Sequence, residues 1–271
     1  MKLLTYRPEL IRLTGALGLH RFLRKCYFLW ARPRDGIVRV KLVGMCAQFY
    51  VYTPEELRLL ESAGGAGGEQ RVLGLLVSSL KPGEVVFDIG ANVGLYTVLL
   101  AKVVGDGGQV IAFEPEGQTY AHLLENVKLN SLRNVRCFRK ALGDRSGQAM
   151  LYSGEVIGGA SLLHTPEGKG PGEVVDIVEG DRFVEAENLP VPRAVKIDVE
   201  GYEYAVIQAL RRTLADHACQ LVCCEVHPAR LPADVKPEIV VDLLRSVGFS
   251  HIDTYPRWDK TFHLVAYKEA S

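Results

Sequence analysis

The 271-residue sequence has no excess of charge of either sign, because 32 Lys and Arg residues balance 32 Asp and Glu residues. A domain built to bind nucleic acid usually carries a basic face, so this balance argues against a nucleic-acid partner. No uncharged apolar run reaches the roughly 18 residues that a membrane span needs. Charged residues also interrupt the apolar stretch that a signal peptide requires, namely Lys2, Arg7, Glu9 and Arg12. We therefore expect a cytoplasmic protein.

Cysteine spacing gives no disulfide framework, although the chain contains six cysteines. Three of them stand in "CQLVCC", residues 219–224, where they are typical of small apolar residues in a buried strand. A zinc or redox role is the alternative. Hydrophobic residues make up 48% of the chain, which is enough for a large core and excludes disorder along most of its length.

Strand-like and helix-like patterns alternate from residue 84 to the end of the sequence. Near-continuous apolar strands that alternate with helices are typical of a buried, mostly parallel sheet. "HIDTY" and "TFHLVAY" have only "PRWDK" between them. Because a parallel crossover needs a dozen residues or more, the last strand should run antiparallel to its neighbours. The pattern predicts an α/β domain over residues 71–271.

Residues 1–70 form a predicted N-terminal extension of helices and a hairpin. "IVRVKLVG" and "AQFYVYT" alternate apolar and polar residues, as half-buried strands do. Thr53 and Glu56 have the spacing of a capping box at the start of the next helix. Residues 7–34 interleave large apolar side chains with Arg and Lys, which suits either packing on the catalytic domain or peripheral contact with an anionic membrane surface.

The stretch "FDIGANVGLY", residues 87–96, follows a short apolar strand and nearly spells a dinucleotide-binding turn. The G-x-G-x-x-G fingerprint would need glycine at Asn92 and Leu95. Since the second glycine lets the backbone approach a pyrophosphate, Asn92 makes a dinucleotide a poor fit. A cofactor without phosphates, such as S-adenosylmethionine, removes this demand. Gly90 and Gly94 then keep the turn tight, and Asp88 is placed to meet the cofactor's ammonium group.

The next acid at a strand end is Glu114 in "VIAFEP", 26 residues after Asp88. A carboxylate at the end of the second strand accepts hydrogen bonds from ribose hydroxyls in nucleotide-binding folds. We therefore predict that Glu114 holds the ribose. The alternative is that Asp88 and Glu114 only cap the helices that follow them.

Together these motifs resemble the FkbM-type methyltransferases. The resemblance rests on "VFDIGANVGLYT", "AFEPEGQTYAHLLENVKLN", "ALGD", "VKIDVEGYEYAVIQ" and "EVHP" and covers roughly residues 75–230. It implies S-adenosylmethionine as the cofactor, a seven-stranded Rossmann-like sheet of the class I methyltransferases, and most often methylation of oxygen. In that family an irregular stretch matching residues 153–175 lies near the acceptor pocket.

The resemblance allows the functional residues of the family to be assigned in this sequence, one matching position at a time. It implies that the cofactor is bound by Asp88, Gly90, Asn92, Gly94, Glu114, Ala141 and Leu142. It also matches Asp198, Glu200, Gly201 and Glu203 to the family's second block, and Glu225 and His227 to the acid and histidine after the fifth strand.

Asp198 and Glu225 end successive predicted strands, so both should reach the sheet edge where ligands bind in open α/β folds. Strand alternation places Lys196 on the same face as Asp198. We predict Asp198, Glu225, His227 and Lys196 as catalytic residues, with one of the acids or His227 accepting the acceptor's proton. Binding of a divalent metal by Asp198 and Glu225 is the open alternative, and we favour a site without metal.

The sequence thus predicts an S-adenosylmethionine-dependent methyltransferase that acts on a hydroxyl of a sugar, a glycolipid or a natural product. The acceptor would be a small molecule or a glycan or lipid-linked compound. The enzyme would be cytoplasmic, with peripheral contact to the inner face of the membrane as an open alternative to packing of residues 7–34 on the catalytic domain. Two alternatives come from other classes: a non-catalytic cofactor-binding module of the same fold, and an NAD-linked oxidoreductase.

Overall fold

We describe a computed structural model of the chain for residues 20–63, 68–152, 172–257 and 260–269. The predictions for residues 7–19 and 153–171 lie outside the described residues. Within these ranges the strands are β1 Ile37–Leu42, β2 Met45–Tyr50, β3 Val85–Ile89, β4 Gln109–Phe113, β5 Val135–Phe138, β6 Ala141–Gly143, β7 Gly147–Tyr152, β8 Gly172–Glu179, β9 Ala194–Ile197, β10 Leu221–Val226, β11 His251–Pro256 and β12 Phe262–Tyr267. The helices are α1 His20–Ala31, α2 Pro54–Ala63, α3 Gly68–Ser79, α4 Leu95–Val104, α5 Gly117–Leu129, α6 Gly180–Ala186, α7 Glu203–Ala209, α8 Arg211–Ala215 and α9 Pro237–Ser246.

A seven-stranded sheet in the order β11-β12-β10-β9-β3-β4-β5 forms the centre of the fold. Strand β12 pairs antiparallel with both β10 and β11, whereas β10, β9, β3, β4 and β5 pair in parallel. The prediction of a mostly parallel sheet with a reversed last strand is confirmed. The parallel strands β3, β4, β9 and β10 end at one edge, and the residues that follow them build the site.

The sheet is buried on both faces. On one face, Leu99 of α4 packs with residues of the N-terminal segments, including Phe49, Leu57 and Leu76. On the other, Val206 of α7 and Leu244 of α9 cover Ile197 and neighbouring strand residues. The N-terminal hairpin and helices therefore share a core with the sheet, and a domain boundary between residues 70 and 71 stays a prediction.

Two local predictions are confirmed by hydrogen bonds and burial. The Glu56 backbone N–H donates to Thr53 Oγ1 at 3.2 Å, and Thr53 N–H donates to Glu56 Oε2 at 3.1 Å, which is the reciprocal pattern of a capping box. Cys219, Cys223 and Cys224 are free and buried, and the last two lie in β10.

None of the described helices is both long enough and apolar enough to cross a bilayer.

The apolar pattern of "VRCFRKAL" predicts one strand over residues 135–142, but the structure has two strands there, in different sheets. β5 ends at Phe138 and pairs with β4, whereas β6 begins at Ala141 and pairs with β8 in a separate three-stranded sheet, β6-β8-β7. Strand β8 also includes residues 172–175, which we predicted to be irregular. Strand β6 pairs with residues 36 positions away, and residues 172–175 pair with β7 residues 20 to 26 positions away. Local periodicity carries no information about pairing over such separations.

The pattern of "EYAVIQALRRTL" predicts one helix over residues 203–214, but in the structure it is interrupted at Leu210, between α7 and α8. The carboxylate of Asp181 accepts hydrogen bonds from the N–H groups of Arg212 and Thr213 at 2.7 and 2.9 Å. This long-range contact satisfies the free N–H groups of the first turn and so starts a new helix at Arg211.

Candidate active site

The turn after β3 lies against the residues that follow β9. The N–H groups of Gly90 and Ala91 donate to the Phe113 carbonyl at 3.0 and 2.9 Å, which holds the turn to the end of β4. Gly90 has a φ of +77°, and a Cβ atom there would lie 1.8 Å from the Asp198 carbonyl oxygen. Only glycine allows this approach.

A cleft opens at the carboxyl ends of β3, β4 and β9, and its empty space measures about 670 Å³ when the part open to solvent is included. Five of the seven predicted cofactor-binding residues line it: Gly90, Asn92, Glu114, Ala141 and Leu142. Phe113 and Ile89 add apolar surface beside Leu142, which suits a flat aromatic base.

Glu114 is the best-placed polar group of this cleft. Its Oε2 accepts a hydrogen bond from Asn92 N–H at 2.9 Å, and its Oε1 accepts one from Glu116 N–H at 3.0 Å. Burial raises the pKa of Glu114 to about 7, against the lowering effect of these two N–H donors. Each oxygen keeps a second lone pair, so the fixed carboxylate can accept two more hydrogen bonds from a diol.

The other two predicted cofactor residues, Asp88 and Gly94, do not line the cleft. Asp88 is fully buried, and its Oδ2 accepts a 2.5 Å hydrogen bond from Thr97. Its Oδ1 lies 3.4 Å from Lys196 Nζ. Gly94 precedes α4 with a φ of +90°, and a Cβ atom there would lie 2.7 Å from Leu123 Cδ1. Both residues therefore support the turn from the interior of the protein and do not face the cleft.

The charge of the cleft fits a cationic cofactor. Four acidic side chains line it, Glu114, Glu116, Asp198 and Glu200, and among the described residues Lys140 is the single basic one. A dinucleotide pyrophosphate would meet this acidic lining with like charge. S-adenosylmethionine carries a sulfonium and an ammonium group beside an adenosine, so the acids, the diol acceptor Glu114 and the apolar walls all suit it.

Lys196 contacts both the predicted cofactor-binding turn and the predicted catalytic residue Asp198. Its Nζ donates to the Gly90 carbonyl at 2.8 Å and lies 3.6 Å from Asp198 Oδ2 and 5.1 Å from the centre of the Tyr96 ring. Burial alone would raise the pKa of Asp198, but the charge of Lys196, followed by that of His227, lowers it. Asp198 is therefore ionised at neutral pH.

His227 lies within a group of carboxylates. Its Nδ1 is 2.8 Å from Oε1 of the fully buried Glu203, and its Nε2 is 3.3 Å from Glu200 Oε2 and 3.8 Å from Glu225 Oε1. Burial alone would lower the pKa of His227, but the Glu203 hydrogen bond and the charges of Asp198 and Glu200 raise it to about 9. In this state the ring is an imidazolium, which has no lone pair to accept a proton.

Glu225 faces away from the cleft, towards the neighbouring strand β12. Its carboxylate lies 3.2 Å from His263 Nε2 and 3.2 Å from Arg257, and Thr261 donates to it at 3.3 Å. A second, smaller cavity is lined by Glu225, His263, Lys196 and Asp198, among others. Asp198 is the one predicted catalytic residue that lines both cavities.

Sequence reasoning missed His263 and left Glu200 and Glu203 out of the predicted site. His263 is 3% exposed and stands opposite Glu225 in the β10–β12 pairing. The predicted antiparallel strand contains His263, but the sequence did not give the register that places His263 opposite Glu225. Burial raises the pKa of Glu200 to about 7, with a further contribution from the charge of Asp198.

The comparisons with known proteins agree with this geometry. The family model of the FkbM methyltransferase domain matches residues 88–251, more than half of the chain. The chain belongs to this family. It is therefore an S-adenosylmethionine-dependent methyltransferase, as predicted, and the NAD-linked alternative is not supported.

Two individual proteins illustrate how far the similarity extends. Hexuronic acid methyltransferase AglP of Haloferax volcanii is 28% identical over 237 residues, which make up 86% of this chain and 92% of that protein. A solved structure from Clostridium thermocellum, assigned provisionally as an rRNA methylase, has a TM-score of 0.50 and 13% identity, covering 76% of this chain and 98% of that chain. The solved structure supports the Rossmann-like fold alone.

Proposed function

We propose that this methyltransferase transfers the methyl group to an oxygen atom of a sugar, with a hexuronic acid, free or within a glycan, as the acceptor. The acceptor class comes from the similarity to the hexuronic acid methyltransferase, which extends over 86% of the chain. The proposal includes glycolipids and hydroxylated natural products as acceptors when they contain such a sugar.

The observation that carries the proposal is the dense set of charged groups around Asp198. Besides the carboxylates, Arg230 contacts Glu200 and is 39% exposed, and Arg257 contacts Glu225 and is 20% exposed. A sugar presents hydroxyl groups that both donate and accept hydrogen bonds, and such a site offers partners for both. The arginines are also suited to the carboxylate of a hexuronic acid.

Each group has a proposed task. S-adenosylmethionine supplies an electrophilic methyl group when bound. Glu114 holds the ribose hydroxyls, while Ala141 and Leu142 contact the adenine. Asp198, with Glu225, His227 and Lys196 behind it, aligns the acceptor hydroxyl and accepts its proton as the oxygen takes up the methyl group. Alignment of this kind lowers the barrier by several kcal/mol.

The function can be tested by incubating the full chain with S-adenosylmethionine and an acceptor panel, with mass spectrometry as the readout. We expect a gain of one methyl group on hexuronic acids, and a smaller gain on matched neutral hexoses, which lack the carboxylate. If the cofactor binds by calorimetry but no hexuronic acid gains a methyl group, the proposed acceptor class is wrong.

Replacing Glu114 with Ala should weaken S-adenosylmethionine binding by about 1.5–3 kcal/mol, because charge-assisted hydrogen bonds to the ribose are lost. Affinity should also depend on pH. The ionised carboxylate is the binding form, so wild-type affinity should fall about tenfold between about pH 8 and about pH 6, as the pH passes through the Glu114 pKa of about 7.

Titration calorimetry of Glu114→Gln supplies the control for this pH dependence. The amide cannot ionise, so the tenfold change should shrink while binding remains weak at both pH values. Equal pH dependence in the wild type and the variant would contradict the ribose role.

Peripheral membrane contact through residues 7–34 is a further part of the proposal, and it would bring the enzyme to a lipid-linked acceptor. Within the described part of this segment, α1 exposes Phe22, Leu29 and Trp30, with 63%, 77% and 74% of their surface accessible. The exposed Lys25 and Arg32 flank them. We expect co-flotation with anionic vesicles at low salt and loss of flotation in Leu29→Glu, with neutral vesicles as the control.

A further inference from the structure

Two carboxylates and one imidazole converge beside the cofactor cleft. Asp198, Glu200 and His227 each offer one donor atom, and the three atoms lie within 4.8 Å of one another. Asp198 and Glu200 line the cleft, and His227 is 7% exposed behind them. Donor atoms that share one divalent cation at bond lengths near 2.0–2.3 Å lie roughly 3–4.5 Å apart. The two distances from His227 Nε2, 3.3 and 4.0 Å, fall within this range.

The imidazole is oriented as a metal-binding histidine is. Glu203 holds Nδ1 at 2.8 Å, which fixes the ring and leaves Nε2 pointing at the carboxylates. A bound cation replaces the proton that Nε2 carries in the imidazolium, so its binding releases one proton. Among the hydrogen bonds of the described residues none involves Nε2, although oxygens of Glu200 and Asp198 lie 3.3 and 4.0 Å away. Histidine ligands usually donate their other ring nitrogen to a carboxylate in this way.

The two carboxylates present oxygen atoms towards the same point near His227 Nε2. Asp198 turns Oδ2 towards Lys196 and Oδ1 towards His227, so Oδ1 is available. Glu200 has a φ of +55°, which is unusual for a residue with a side chain, and the following Gly201 has a φ of +106°. This turn brings Glu200 Oε2 to 3.3 Å from His227 Nε2. Arg230 donates a hydrogen bond to the same oxygen, so a cation would take its remaining lone pair or replace this contact. Strained backbone of this kind often occurs at ligand-binding positions.

We propose that Asp198, Glu200 and His227 bind one divalent cation, whose remaining coordination positions take water or an oxygen of the acceptor. Mixed oxygen and nitrogen donors suit Mn²⁺, Mg²⁺ or Zn²⁺. The ion would neutralise the repulsion between Asp198 and Glu200 and orient the acceptor oxygen beside the cofactor. Its part in catalysis rests on the proposed function, whereas ion binding does not. The proposal departs from our sequence-based preference for a site without metal and replaces Glu225 with Glu200 as a ligand.

Ion binding can be measured directly with Mn²⁺ as the probe. The full chain is treated with EDTA, dialysed, and titrated with MnCl₂ while electron paramagnetic resonance follows the free ion, without cofactor or acceptor. We expect one bound Mn²⁺ per chain and displacement by excess Mg²⁺. Asp198→Asn and His227→Gln should each weaken binding by at least about tenfold.

Glu225→Gln is the matched control, because Glu225 is a neighbouring carboxylate outside the three-donor set. It should change Mn²⁺ affinity by less than about threefold. Circular dichroism checks that each variant is folded, and Asp198→Asn decides the result if His227→Gln does not fold.

Three results would overturn the proposal: no Mn²⁺ binding at about millimolar free ion, binding that survives both ligand variants, or an equal loss in Glu225→Gln. Methyl transfer that persists unchanged after EDTA treatment would remove the ion from catalysis. Conversely, Mn²⁺ binding without methylation of any acceptor would count against the proposed function alone.

Discussion

Replacing Asp198 with Asn should lower turnover by about a hundredfold or more. This is the usual scale for losing a side chain that accepts a proton at the reacting atoms. Asp198 borders both cavities and interacts with Lys196 and His227. The amide keeps the shape of the side chain but loses its negative charge. Turnover should fall whether the carboxylate positions the acceptor directly or through a bound cation. The measurement is steady-state methyl transfer at saturating S-adenosylmethionine.

The same substitution at Asp242 is the matched control. Asp242 lies on α9, its side chain is 72% exposed, and its ion pair is with Arg245 on the same helix. Asp242→Asn should retain wild-type turnover. A folded Asp198→Asn enzyme with turnover within about threefold of the wild type would contradict a catalytic role for this residue.

Replacing Gly90 with Ala should lower the free energy of unfolding by about 2–4 kcal/mol. About 1–2 kcal/mol comes from placing a side chain on left-handed backbone. The rest comes from overpacking, because the new Cβ atom would lie 1.8 Å from the Asp198 carbonyl oxygen and the backbone has to move. Urea denaturation monitored by circular dichroism gives the value.

Gly83→Ala separates these two contributions. Gly83 also has a positive φ, +91°, but a Cβ atom there would meet nothing within 4 Å. Its substitution should therefore cost only about 1–2 kcal/mol. Equal losses at both positions would show that the contact between the β3 turn and Asp198 contributes nothing to stability. A larger loss at Gly90 would support the close approach.

Local sequence patterns predicted most of the central sheet. The alternation of strands and helices after residue 84 and the short link between β11 and β12 were enough to predict a parallel sheet with a reversed last strand. They failed at residues 135–142 and at Leu210, where β6 pairs with β8 and Asp181 starts a new helix. Both failures involve partners more than 30 residues away.

The sequence by itself determined the glycine turn, the acid at the end of β4 and the positions of Asp198 and Glu225 at strand ends. Such features depend on a few neighbouring residues and on strand periodicity. Only the tertiary structure decided that Asp88 is buried behind the turn, that Glu200 meets His227, and that His263 faces Glu225. The physical reason is that these contacts depend on strand order, on the β10–β12 register and on the left-handed turn at Glu200, none of which leaves a local pattern in the sequence.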